Sequence, residues 1–171
     1  MSAPSSALYL FGDLLALARL NWIETMAARL EELGHAGYRR SDAVVLRVVS
    51  RRSLAVGELG AVVGVTRQAA RKLVGALEQR GYARLERDPD DSRRRTVVLT
   101  PAGDVYAAAV VATLEAMSRE LAERVDHSAL SAADAVMRAS LNGDRARRRA
   151  DALVAPPAPG PPGHHPGPER S

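Results

Sequence analysis

Apolar residues recur every three or four positions through Leu8, Phe11, Leu15, Ala18, Trp22, Met26, Leu30 and Leu33, which is the period of one face of an α-helix. The spacing predicts one long amphipathic helix from about residue 6 to Leu33, ended by Gly34 and Gly37. Ser41 is the expected N-cap of a second helix carrying Val44, Val45, Val48 and Val49, and Arg51-Arg52-Ser53 breaks it. A short helix follows over about Val56 to Val63. Gly64 then turns the chain, Thr66 caps the next helix, and Gly81 stops that helix after Arg80. Small Gly60 and Gly64 ahead of apolar Ala70 and Leu73 allow two helices to cross closely over a three- to four-residue turn, a helix-turn-helix pattern.

The period then changes. Tyr82 to Arg87 and Arg95 to Leu99 alternate as two strands, with Ala83, Leu85, Val97 and Leu99 able to share a buried face. Between them Asp88 to Arg94, DPDDSRR, is a loop with an Asp-Pro turn signal and a basic far side. Thr100-Pro101 is the N-cap and first position of another long helix, with Val110, Leu114, Met117, Leu121 and Val125 as its seam. A last helix is expected over Ser128 to Leu141. Beyond Asn142-Gly143 come DRARRRADALV and then, from Pro156, seven prolines and three glycines in sixteen residues, a composition that is disordered or polyproline-like.

Helix, turn, helix and hairpin is the order of a winged helix. The fold class expected is mainly α with a small β-hairpin wing, a winged helix-turn-helix lobe joined to a helical dimerisation arm. The arm takes residues 6–40 and 101–143, the lobe 41–100, and a basic then Pro/Gly-rich disordered tail 144–171. At 171 residues the chain suits one domain with an arm.

Charge sharpens the reading of the helix after Gly64. Stepping about 100° per residue from Arg67 puts Arg71, Gly75, Gln68, Gln79 and Lys72 within roughly 140° of it. The opposite arc carries Ala76, Ala69, Leu73, Leu77, Ala70 and Val74, with Arg80 intruding at its edge. A purely structural helix favours acids in its first turn. Here Thr66, Arg67, Gln68, Arg71 and Lys72 stand instead, and arginine and glutamine are the side chains that grip guanine and adenine edges in the major groove. Gly75 either allows close backbone approach or is simply tolerated. Arg93, Arg94 and Arg95 face Asp88, Asp90 and Asp91 across the hairpin loop, the aspartates shaping the turn and orienting an arginine for a narrow minor groove.

Leu54 to Gly103, LAVGELGAVVGVTRQAARKLVGALEQRGYARLERDPDDSRRRTVVLTPAG, resembles the winged-helix core of the MarR family of bacterial transcription regulators, above all in DPDDSRRRTVVLTPAG. The resemblance extends more loosely over Leu8 to Leu141. It implies a homodimer, built from N- and C-terminal helices, that sets two wings on a pseudo-palindromic operator in double-stranded DNA and represses nearby genes until a small-molecule effector releases it. It places Arg93 in the minor groove with Asp91 as its orienting partner, and sets Thr66, Arg67, Gln68, Arg71 and Lys72 against bases. Ala55, where the family has a Ser or Thr cap, and Ala69, commonly polar, depart from the pattern.

The same dimer answers an excess of apolar surface on the terminal helices, with Leu8, Phe11, Leu15, Leu121, Val125, Leu130, Met137 and Leu141 as the expected interface. Trp22 and Tyr38 are either core or the lining of an effector cavity between arm and lobe. Arg145 and Arg147 to Arg149 are a charged helix end or a DNA-binding tail.

Bulk numbers add limits more than direction. Lys+Arg outnumber Asp+Glu 24 to 20, for a net charge of +4, so distribution matters more than total charge. Aromatics make up only 4% of the chain, which leaves the packing to aliphatic residues and favours helices. No cysteine is present, which excludes thiol switches and thiolate metal sites, and four unclustered histidines argue against metal. No cofactor is expected. No phosphate loop, nucleophile elbow or His-Glu helix motif supports an enzyme. Asp13 and Arg19 interrupt the N-terminal apolar run, so neither a signal peptide nor a membrane span is expected, and the protein reads as cytoplasmic. The competing function is a winged helix that binds protein without sequence-specific DNA binding.

Overall fold

Helix α1, Phe11–Glu32, changes character along its length in the computed structural model, which describes residues 10–88 and 94–154. From Phe11 to Leu20 it is exposed, whereas Met26 and Leu30 are buried. Helix α2, Arg40–Val49, sends Val45, Leu46 and Val49 into the core. It starts before Ser41, contrary to the expected cap: Arg39 holds the N-cap position without a side-chain bond, and the Ser41 hydroxyl donates to Asp42 Oδ1 at 3.2 Å. The buried carboxylate of Asp42, ion-paired with Arg80, fixes the phase of this turn and draws Ser41 into the helix.

Strand β1, Leu54–Ala55, precedes helix α3, Val56–Val63, which meets helix α4, Arg67–Gln79, across Gly64. Gly64 lies at φ 78°, a left-handed conformation that glycine adopts without strain. A Cβ at Gly60 would sit 3.3 Å from that of Ala70, so the bare backbone there lets α3 and α4 cross closely. Thr66 caps α4 as expected, its Oγ1 accepting from Ala69 N at 3.1 Å.

Strands β2, Ala83–Arg87, and β3, Arg95–Leu99, pair antiparallel with Ala83 opposite Leu99 and Leu85 opposite Val97, the expected shared face. The sheet has a third strand, however, in the order β1-β3-β2. Two residues are too few to show a period of two, which is why β1 left no sequence signal.

Helix α5, Pro101–Arg124, begins with Thr100 Oγ1 accepting from Gly103 N at 3.1 Å and proline in its first turn. Helix α6, His127–Ala139, is capped by Asp126 and ends short of Leu141; none of its residues is buried. The basic run beyond Gly143 is not part of a disordered tail as expected but a further helix, α7, Asp144–Val154, ordered by packing on α2 and α3. The proline-rich stretch lies outside the described residues.

Leu46, Leu59, Val74, Leu77, Val97, Tyr106 and Val110 close the core between sheet and helices. Each such side chain contributes about 1.5 to 3 kcal/mol by leaving water. Among the described residues no helix is long and apolar enough to cross a membrane, and no three His, Asp or Glu side chains gather into a metal site.

Candidate nucleic-acid interface

Helix α4 divides as its sequence does. Ala70, Val74 and Leu77 are buried, while Thr66, Arg67, Gln68, Arg71 and Lys72 are exposed. Thr66 spends its hydroxyl on the cap, leaving the cations and Gln68 to face outward. Arg80, the intruder on the apolar arc, follows the last turn and donates from Nη1 to buried Asp42, and its guanidinium lies 4.9 Å from the Tyr82 ring centroid and 5.9 Å from that of Tyr106. This contact ties the far end of α4 to α2 and α5, so the exposed first turns project from a fixed base.

The wing stands beside those turns. Arg67 and Arg71 from α4 and Arg94 and Arg95 from the hairpin line one cleft of about 240 Å³, with Leu85 and the start of α3 as its floor. The two surfaces singled out in the sequence are therefore neighbours. Arg94 is held by carboxylates, 2.6 Å from Glu58 Oε1 and 3.3 Å from Asp88 Oδ2, and Asp88 N donates to Arg94 O at 2.9 Å. Arg94 serves as a brace between wing and α3. Arg95 is exposed and makes no salt bridge among the described residues. Asp91 and Arg93 lie outside the described residues.

Glu58 was missed in the sequence. Its Oε2 accepts from Ala55 N at 3.0 Å while Oε1 takes Arg94. The Ala55 backbone bond, then Arg94, hold its carboxyl below the usual carboxylate range. Half of a capping box survives here without its Ser or Thr, and Ala55 concealed the pattern.

Trp22 and Tyr38 both line a cavity of about 410 Å³ between the arm and the lobe. Arg19, Arg40 and Arg47 line it as well, a basic component that helix periodicity could not foretell. Burial pushes the Tyr38 phenol up and the Arg47 guanidinium down from their ordinary pKa values. On the arm, Phe11, Leu15, Leu121, Val125 and Met137 are exposed, and Leu130 and Leu141 half-buried; Leu8 lies outside the described residues.

A helix-turn-helix whose second helix and following wing share a basic cleft defines a winged helix-turn-helix protein. Residues 36–94, the winged-helix segment of the chain, match the model of the MarR family. No match was found among curated proteins. Solved structures of similar fold include the transcriptional repressor CouR bound to a 23-mer DNA duplex, at 19% identity over 81% of this chain and 97% of that one, with a TM-score of 0.65. FabT of Streptococcus pneumoniae in complex with DNA aligns at 14% identity over 76% of this chain and 92% of its own, with a TM-score of 0.69. BpsR of Bordetella bronchiseptica, whose DNA binding is regulated by 6-hydroxynicotinic acid, aligns at 18% identity over 78% and 94%, with a TM-score of 0.62.

Proposed function

We propose that the protein is a homodimeric, sequence-specific DNA-binding transcription regulator of the cytoplasm, acting as a repressor that a small molecule releases. The observation that carries this reading is the single cleft shared by Arg67, Arg71, Arg94 and Arg95. One duplex can meet it with the first turns of α4 in the major groove and the wing along the adjacent minor groove. The wing roles of Asp91 and Arg93 rest on the family resemblance, and the DNA bound by CouR and by FabT supports a duplex as the partner.

Two such lobes in a dimer would read half-sites about one helical turn apart. The exposed apolar residues of α1, α5 and α6 supply the partner surface. The cavity holding Trp22 and Tyr38 is of ligand size, and its aromatic walls and three arginines suit an aromatic acid, in keeping with the BpsR ligand. Since α2 carries both Arg40 on that wall and Asp42 on Arg80, a ligand that shifts α2 would re-aim α4.

Fluorescence anisotropy with the duplex flanking the protein's own gene tests the reading. We expect roughly nanomolar affinity with a steep salt slope. Arg71→Ala should cost about 1 to 3 kcal/mol and relax preference at one base pair, whereas Arg93→Ala should weaken all sequences and lower the slope by about 1. No binding even at low salt would instead favour a protein partner.

A further inference from the structure

Helix α7 does not trail away from the lobe. It packs on α2 and α3, with half-buried Ala146 and Ala150 one turn apart on one side. Arg149 reaches over the turn of the helix-turn-helix: a Cβ built on Gly64 would lie 2.7 Å from its Cδ and Nε. The side chain thus rests on bare backbone two residues before Thr66, the cap of the recognition helix.

The same arginine joins Arg40 and Ser41 of α2 and Lys72 of α4 around a cavity of about 450 Å³. None of Arg40, Lys72 and Arg149 forms a salt bridge among the described residues. Three cations gathered about one opening, without a carboxylate among its lining residues, repel one another until an anion arrives. The opening also lies on the other flank of α4 from the wing. Arg67 and Arg71 point to the wing cleft, whereas Lys72 and Ala69, roughly 100° or more further round the helix, point to α7. A duplex that receives α4 in its major groove presents a phosphate strand along each rim of that groove.

We propose that α7 is a DNA-backbone clamp: Arg149, with Lys72 and Arg40, takes phosphates on the rim of the major groove opposite the wing, so the footprint extends beyond recognition helix and wing. This rests on the DNA-binding reading above. The site contributes affinity without sequence preference, because phosphates are the same at every base pair.

The test is anisotropy across a salt series with the full-length protein, together with hydroxyl-radical footprinting. Arg149→Ala should lower the salt slope by about 1, weaken binding several-fold at moderate salt, leave base preference unchanged and expose the outermost protected nucleotides. Arg149→Lys should restore the slope, and Arg138→Ala on α6, where Arg138 pairs with Asp134, should change nothing. An unchanged slope and footprint for Arg149→Ala would overturn the clamp. So would equal loss in the Ala and Lys variants, which would make Arg149 a packing residue, or tighter binding by Arg149→Ala, which would make α7 a cover over the interface. If the unaltered protein binds no duplex, the regulator reading falls and the clamp with it; binding with an insensitive Arg149 removes the clamp alone.

Discussion

Asp42 and Arg80 are 38 positions apart, yet each is intelligible only through the other. An ionised carboxylate 2% exposed needs a cation, and Arg80 meets it while stacking near two tyrosine rings. Asp42→Ala should therefore cost about 3 kcal/mol in urea denaturation, because it strands a partly buried guanidinium. Glu58 behaves differently, being at the surface. Its folded pKa lies below the unfolded one, so its stabilisation is complete above the ordinary carboxylate range and is lost as pH falls through the depressed value. The melting-temperature gap between the unaltered protein and Glu58→Gln should accordingly be present at neutral pH and close in acid. A gap that persists unchanged to the acid limit would mean that the charge of Glu58 is not what matters.

At the level of elements, the junction between β2 and α5 has the least room. A Cβ at Gly103 would stand 1.9 Å from the carbonyl oxygen of Tyr82, which already accepts from Thr100 N. Gly103→Ala must push α5 off the sheet, and we expect a loss of about 1 to 3 kcal/mol, read as a lower melting temperature. Helices α1 to α6, the paired faces of β2 and β3 and the caps at Thr66 and Thr100 were legible in the sequence because their signals are local periods and turn residues. So was the division of α4 into core and outward arcs. What escaped depends on distant partners: β1 exists only as an addition to β3, Ser41 loses its cap to the pull of Arg80 on Asp42, and the docked face of α7 is two alanines among arginines. The basic wall of the cavity escaped for the same reason, since Arg19, Arg40 and Arg47 converge only when α1 and α2 pack.

For the whole molecule, the governing fact is that apolar surface is distributed unevenly. Leu14, Leu17 and Leu20 of α1 are all more than half exposed, Leu121 and Val136 are close to it, and α6 buries nothing, while the lobe is well closed. Leu121→Glu should turn the proposed dimer into a monomer in sedimentation equilibrium and weaken operator binding by more than tenfold, since two half-sites would no longer be held together. A dimeric mass for that variant would place the interface elsewhere. In the proposed dimer, half of α1 and all of α6 owe their order to a second molecule. Dilution would then loosen the arm as well as separate the pair, and a regulator made in small amounts would be cleared by proteases faster than one made in abundance.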